Sequence, residues 1–299
     1  MRIAINGNRH QEKHLEAIRT LTDTLVRRGD DVVMSERFLD YLTIHLGDRF
    51  RMGLDYTPLS LQPKADLALS IGGDGAFLKT ARWVGDAEIP VAGINTGHLG
   101  YLSAFTFDDP EKIYNNLLEG DFRVEKRSML HVKIEVPATE DGRQKPFTKE
   151  LTALNEIALT RGDIASMLRI AATINGRSSL NYMGDGLIIS TPTGSTAYNL
   201  SVGGPILDPE LAGWVLSPIA AHSLSMRPLV VKDSSRIELR VDARGEGFHL
   251  AADGKPVTLP LNAVLTVTRA PYGVNVVQQT EHTFTDTLRE KLGLGNTLV

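Results

Sequence analysis

Across the first hundred residues, short apolar runs alternate with longer stretches that are apolar on one side only, the rhythm of βα units. Ile3–Ile5 reads as a first strand. From about Glu12 to Arg28 the positions Leu15, Ile18, Leu21 and Leu25 fall on one face at helical spacing, and Gly29 follows as a stop signal. Val32–Met34 reads as the next strand. Leu67-Ala68-Leu69-Ser70-Ile71 is a compact apolar strand that runs straight into Gly72-Gly73-Asp74-Gly75, after which Ala76–Val84 has a helical pattern. Pro90–Ile94 repeats the strand ahead of the loop Asn95-Thr96-Gly97-His98-Leu99-Gly100. This alternation predicts a Rossmann-like parallel sheet that binds ligands at the carboxyl ends of its strands.

From about residue 122 the period changes to two. Leu130, Val132, Ile134 and Val136 alternate with His131, Lys133 and Glu135, and Ile237, Leu239 and Val241 alternate with Glu238 and Arg240. Leu168, Ile170, Ala172 and Ile174 do the same ahead of Asn175-Gly176, a hairpin turn signal, and Asp253-Gly254 is a further turn between extended segments. Thr139–Phe147, polar and containing Gly and Pro, reads as a hairpin tip. The predicted organisation is an α/β domain over residues 1–121, a mainly β domain of β-sandwich type over 122–275, and a tail over 276–299 whose helix, Thr283–Leu292, returns to the first domain. There is no internal repeat and no low-complexity tract.

Composition narrows the function classes. With 299 residues, 42% hydrophobic and 23% charged, the chain can bury a sizeable core. Its net charge of -4 carries no footprint for nucleic acid or an anionic membrane surface, so a charged ligand must be met by local groups. The lack of cysteine excludes disulfides, thiolate metal sites and cysteine nucleophiles. No apolar run reaches membrane-spanning length, and the N-terminus is apolar for too few residues to be a secretory signal. A soluble cytoplasmic protein with no nucleic-acid or membrane partner is expected, and the sequon Asn199-Leu200-Ser201 is then a chance match.

Three runs carry chemistry. A strand ending in Gly72-Gly73-Asp74-Gly75 suits phosphate, because glycines let backbone N–H groups approach an anion and the following helix points its positive end there. An aspartate in that turn would repel phosphate unless it served the acceptor, which makes it either a base that takes a hydroxyl proton during phosphoryl transfer or a simple helix cap. In the second run, Gly184-Asp185-Gly186 leads through the apolar Leu187–Ile189 into Ser190-Thr191-Pro192-Thr193-Gly194-Ser195-Thr196-Ala197-Tyr198, a cluster of hydroxyls at a helix start. It offers donors to ribose or phosphate oxygens without positive charge, although any single Ser or Thr there also serves as a turn or cap residue. The third is Asn155-Glu156, polar neighbours within an apolar strand, whose side chains alternation sends to opposite faces; an exposed strand edge is the other account of them.

Other features carry less. His10 and His14 are four apart, but Gln11 stands where a metalloprotease helix needs glutamate, so they read as solvated histidines. No P-loop, G-x-G-x-x-G or G-x-S-x-G motif occurs. Arg27-Arg28 and Arg123–Arg127 read as solvated faces.

Taken in order, these runs resemble the NAD kinase family, and the resemblance spans essentially the whole chain. It includes Asn95–Leu102, similar to the family's glycine loop, and Leu288-Arg289-Glu290-Lys291-Leu292-Gly293. The hydroxyl-rich run is the specific part, since Gly-Gly-Asp-Gly also occurs in lipid kinases and resembles a turn in phosphofructokinases. The resemblance implies phosphoryl transfer from ATP, with a divalent ion such as Mg2+, to the 2′-hydroxyl of the adenosine ribose of NAD. It implies Asp74 as the proton acceptor, Gly72, Gly73 and Gly75 against the nucleotide, Lys79 near its phosphates, and Tyr101 and Leu102 in the glycine loop. Asn155 and Glu156 are expected at the nicotinamide end, Asp185 as a nucleotide-binding aspartate, and Thr193, Thr196, Ala197, Tyr198, Asn199, Leu200 and Ser201 at adenine and ribose. Ser166 matches a contact from a neighbouring subunit in an implied homodimer or homotetramer. Met183 and Lys255 depart from the family pattern, Met183 lacking a polar or basic group and Lys255 standing where glutamine is common, able to donate but not accept. No residue is singled out as a metal ligand. A lipid or sphingoid-base kinase and a catalytically silent NADP-binding sensor are the alternatives.

Overall fold

The apolar runs near the N-terminus pair as a parallel sheet. In the computed structural model, β1 (Arg2–Gly7), β2 (Asp31–Ser35), β3 (Asp55–Thr57), β4 (Leu67–Ile71) and β5 (Val91–Asn95) lie in the order β3-β2-β1-β4-β5. The structure describes residues 1–97, 100–107, 113, 115, 122–139, 144–162, 167–177, 179–245 and 247–295. The residues of β4 and β5 are buried throughout, because a parallel sheet carries helices on its faces and its strands then read as unbroken apolar runs. The helices are α1 (Leu15–Arg27), α2 (Glu36–Leu46) and α3 (Asp74–Val84). A 3-10 turn, Glu12–His14, precedes α1, and Ile18, Leu21 and Leu25 face the core as the spacing predicts.

Helix α2 was not among the predicted elements. It buries Phe38, Leu39, Tyr41 and Leu42, but it lacks a side-chain cap, because the Ser35 hydroxyl at its N-cap is engaged elsewhere. Ser35 Oγ donates to Asn6 Oδ1 at 2.6 Å, Asn6 Nδ2 donates to Thr80 Oγ1 at 2.9 Å, and Thr80 Oγ1 lies 2.9 Å from Ser70 Oγ. This buried polar chain joins β1, β2, β4 and α3 beneath the carboxyl ends of the strands.

The chain divides into two units, 1–126 with 274–299, and 127–273. Further along come β6 (Phe105–Thr106), β7 (Phe122–Val136), β8 (Phe147–Ala153), β9 (Glu156–Arg161), β10 (Leu168–Ile174), β11 (Ser179–Gly184), β12 (Gly186–Ser190), β13 (Gly213–Ile219), β14 (Leu229–Lys232), β15 (Ile237–Asp242), β16 (Gly247–Ala252), β17 (Lys255–Pro260) and β18 (Val264–Gln279). In the first unit, the end of β18 pairs parallel with Val91 and Ala92 of β5, and β6 pairs with Ile94 and Asn95 of the same strand. In the second unit, β14-β13-β12-β9-β16-β17 form one antiparallel sheet. A second sheet runs β11-β10-β15-β18, with β7 and β8 added beyond β18. Alternate residues of both sheets, among them Leu130, Val132, Leu159, Ile170, Ile189, Trp214, Leu239 and Phe248, fill one hydrophobic core, the arrangement of a β-sandwich.

Turn chemistry agrees with the sequence. Asn175 and Gly176 both have positive φ, and Arg177 N donates to Ile174 O at 3.1 Å, closing the β10–β11 hairpin. Val136 pairs with Phe147 across the β7–β8 hairpin, whose tip at 140–143 lies outside the described residues. The C-terminal helix α5 (Phe284–Leu292), which follows the four-residue α4 (Tyr198–Ser201), opens with a capping box between Thr283 and Asp286 and belongs to the first unit.

The basic stretch 123–127 corrects the expectation of a solvated face. Arg123 donates to the carbonyls of Gln279, Thr280 and His282, tying down the segment that leads to α5, and Arg127 is buried. A long guanidinium satisfies several carbonyls at once, which charge counting along the sequence does not reveal. No helix among the described residues is long and apolar enough to cross a membrane.

The buried polar chain gives a stability test. Thr80→Val keeps the shape of the side chain but leaves the Asn6 amide and the Ser70 hydroxyl short of a partner. Urea denaturation should show a loss of about 1–3 kcal/mol.

Candidate functional site

In the first unit the strand order reverses between β1, which leads to β2 and β3, and β4, which leads to β5; ligands of open α/β sheets bind beyond the carboxyl ends at such a point. The Gly72–Gly75 turn lies there. Gly72 has φ +135, and a Cβ on it would come within 2.9 Å of Ala76 Cβ and 3.2 Å of Asn8 Nδ2, so glycine is required. Added Cβ atoms at Gly73 and Gly75 would meet nothing within 4 Å among the described residues.

Asp74 is the first residue of α3, with Gly73 at the N-cap, and no side-chain capping bond forms. Its carboxylate turns instead to the loop after β5, where Oδ2 accepts from Tyr101 N at 3.0 Å and Oδ1 from Leu102 N at 3.2 Å. The helix-cap account of this aspartate therefore does not describe it. The approach depends on Gly100, since a Cβ there would lie 1.9 Å from Asp74 Oδ1. Burial, and secondly the charge of Asp74, push the Tyr101 phenol up. Lys291 of α5 places Nζ 5.9 Å from the Tyr101 ring centroid; burial lowers its amine while Asp74 and Glu290 act in the opposite sense. Lys291 is a member of this cluster that motif reasoning left without a role, although the segment containing it was noted. Lys79 is exposed on α3, and Leu102 is buried. His98 and Leu99 of the loop lie outside the described residues.

In the second unit, Leu154 and Asn155 form a bend between β8 and β9, and Glu156 is the first residue of β9. The pair is therefore not on one continuous strand, and alternation to opposite faces does not apply. Nor is it an exposed edge, since both residues are buried. Every backbone group of 154–156 has a partner. Asp253, in the β16–β17 turn, accepts from Leu154 N at 2.9 Å with Oδ2, and from Asn155 N at 2.8 Å and Glu156 N at 3.3 Å with Oδ1. Asp253 N donates to Glu156 O at 3.1 Å. Thr191 holds the other side, with its hydroxyl donating to Leu154 O at 2.5 Å and its N–H to Asn155 O at 2.9 Å. Gly194 packs so closely that a Cβ would sit 2.1 Å from Asn155 O. The side chains are different, for Asn155 Oδ1 and Glu156 Oε2 are buried with no hydrogen-bond partner among the described residues. Such groups are costly unless a ligand or solvent completes them. Burial first, and then the neighbouring Asp253 charge, push the Glu156 carboxyl up to about 7 against the opposing hydrogen bond from Tyr198 N–H.

The hydroxyl-rich run divides into internal and outward residues. Thr191 Oγ1 also accepts from Gly194 N at 3.1 Å, and Ser195 Oγ accepts from Leu207 N at 3.0 Å. Asn199 is buried, with Nδ2 donating to Ser195 O and Pro205 O, and Oδ1 accepting from Ser217 Oγ at 2.6 Å. Its amide is thus fully occupied within the fold. Thr193 is buried in a 3-10 turn, Thr196, Ala197 and Leu200 are half-buried, and Tyr198 and Ser201 are exposed. Asp185 sits where the chain leaves β11 in one sheet for β12 in the other. Its flanking glycines are required, since Cβ atoms would lie 2.6 Å from Ile219 O at Gly184 and 2.0 Å from Leu159 O at Gly186. The Asp185 carboxylate faces Arg161 at 3.2 Å. Met183 is half-buried in β11, and Lys255 is exposed at the start of β17. Ser166 lies outside the described residues. Two organising residues, Asp253 and Thr191, were visible beforehand only as a turn signal and one hydroxyl among several.

The Glu156 carboxyl makes a pH test. Its folded value lies above the ordinary 4.5, so its contribution to stability is fully present below 4.5 and is lost as pH rises through about 7. Glu156→Gln removes this titration. Chemical denaturation across that window should show the variant gaining on the parent with rising pH, and an unchanged difference would refute the buried neutral carboxyl.

Comparison with known proteins agrees with both halves. Residues 3–122 match the model of the ATP-NAD kinase N-terminal domain, and residues 154–279 match that of the ATP-NAD kinase C-terminal domain. The NAD kinase of Porphyromonas gingivalis is 38% identical over 300 residues, covering 98% of each chain, and that of Bacteroides fragilis is 39% identical over 295 residues, covering 99% of this chain and 98% of the relative. Among solved structures, yeast NADH kinase complexed with NADH superposes with a TM-score of 0.86 at 24% identity, covering 100% of this chain and 89% of its own. An NAD kinase from Archaeoglobus fulgidus in complex with ATP gives 0.69 at 23% identity, covering 98% of each. These two establish likeness of fold, and with the family models and the curated relatives they lead to one assignment: the chain belongs to the NAD kinase family.

Proposed function

We propose that this NAD kinase transfers the terminal phosphoryl group of ATP to the 2′-hydroxyl of the adenosine ribose of NAD, giving NADP, with Asp74 as the base. The observation that carries the base assignment is the Asp74 carboxylate, oriented by the N–H groups of Tyr101 and Leu102 in a glycine-lined turn rather than used to cap its own helix. Asp74 takes the proton of the ribose hydroxyl as that oxygen bonds to the γ-phosphorus, and the bridging P–O bond breaks with its electron pair leaving on ADP. Little covalent work falls to the protein in such a transfer, so alignment is most of what it contributes.

The nucleotide contacts are part of the same proposal. Asn155 Oδ1 and Glu156 Oε2 lack partners among the described residues, and NAD supplies both donors and acceptors in its ribose hydroxyls and carboxamide. Asp185, Thr193 and the segment 196–201 contribute from the hydroxyl-rich run, there mainly through backbone groups and Tyr198, since Asn199 is engaged internally. The phosphoryl donor enters as its Mg2+ complex, the ion belonging to the substrate; among the described residues no three His, Asp or Glu side chains gather into a metal-holding group. A homodimer or homotetramer, with Ser166 reaching a neighbouring subunit, and a cytoplasmic location complete the proposal. A lipid kinase and a silent sensor are not favoured by the family assignment.

Asp74→Asn keeps the size of the side chain but cannot take the proton. NADP formation should fall by about 10²–10⁴-fold while NAD binding by titration calorimetry stays near that of the parent. Near-normal turnover in Asp74→Asn would refute the base role. Gly100→Ala, which drives a methyl group into the carboxylate, should lower kcat with the fold retained, as seen by circular dichroism.

A further inference from the structure

Asp253 takes no part in the phosphoryl transfer, yet its side chain accepts from three backbone N–H groups. Its two carboxylate oxygens take the N–H groups of three successive residues, 154, 155 and 156, while its own N–H returns to the carbonyl of Glu156. Successive N–H groups that converge on one point form an anion nest, and here the anion is built into the chain. The residue is placed by a strained turn, with φ +45 at Asp253 and φ +72 at Gly254, a conformation that aspartate, asparagine and glycine tolerate better than other residues.

We propose that Asp253 is a positioning residue of this enzyme, which holds Asn155 and Glu156 in the bend that leaves one oxygen of each side chain unpartnered for the dinucleotide. This rests on the assignment of NAD as the substrate. Without the carboxylate, three N–H groups that together open β9 lose their acceptor, and the bend is free to slide into a regular strand that would turn one of the two side chains away from the other. The charge acts a second way. Packed on Glu156 are Ser190 from β12, the N–H of Tyr198, and Asp253 from the β16–β17 turn, and the carboxylate of Asp253 is the negative neighbour that, after burial, favours a neutral Glu156. A neutral carboxyl can donate to a ribose or carboxamide oxygen, which an anion cannot.

The test measures NAD affinity by titration calorimetry and NADP formation for the parent, Asp253→Asn and Asp253→Gly, with Thr191→Val as a second way to loosen the same bend. Both Asp253 variants accept positive φ, so the hairpin survives while the nest is impaired or emptied. NAD affinity and kcat/KM for NAD should fall about tenfold or more, with the KM for ATP unchanged. The midpoint of the pH dependence of NAD affinity should move to lower pH in Asp253→Asn and vanish in Glu156→Gln. Folded Asp253 variants with the parent's NAD affinity and pH profile would overturn the positioning role, as would a Thr191→Val enzyme of parental affinity if neither Asp253 variant folds. A parent that binds NAD without forming NADP would overturn the kinase assignment while the affinity comparison still decides this one; a parent that does not bind NAD would overturn both.

Discussion

A carboxylate that accepts backbone N–H groups fixes a loop more firmly than most side-chain contacts, because it is charged, short and able to take several donors at once. Both halves of this enzyme depend on that interaction. Asp74 receives the loop after β5, and Asp253 receives the bend before β9. In each case the satisfied group is main chain, so the neighbouring side chains are left over for chemistry or recognition. Glycines enforce the arrangement from outside: Gly100 lets the loop reach Asp74, and Gly194 lets Thr191 reach the carbonyls of Leu154 and Asn155.

Much of the fold was legible in the chain. Period and turn residues located the parallel sheet, the two hairpins with Asn-Gly and Asp-Gly turns, and the terminal helix, because each signal is local. Helix α2 escaped since its N-cap serine is spent on Asn6, a partner 29 residues away, and no local cap remains to mark its start. Arg123 was misread for a similar reason, its three carbonyl partners lying more than 150 residues along the chain.

The candidate site was legible in its residue types and much less so in their roles. Asp74 and the Asn155-Glu156 pair stood out as polar groups in apolar or glycine-rich company. What the sequence could not distinguish is which hydroxyl or amide faces inward. Asn199 and Ser195 stand in the same run as Tyr198, yet the first two are spent on holding the segment 195–207 together while the third is exposed. A polar residue needs its partners to be assigned a task, and those partners come from other strands.

Two strands, 122–136 and 264–279, belong to both units, so the first unit is split in sequence and the second is an insertion within it. On a ribosome the chain emerges from its N-terminus, and the segment that covers the start of β5 follows every residue of the second unit. Until then part of the parallel sheet carries an open edge, the kind of surface that invites wrong pairing. The inserted β-sandwich has its strands in hand earlier. The unit that carries Asp74 therefore has its sheet completed by a strand that first runs through the β-sandwich, and that sheet cannot close until the second unit has been made.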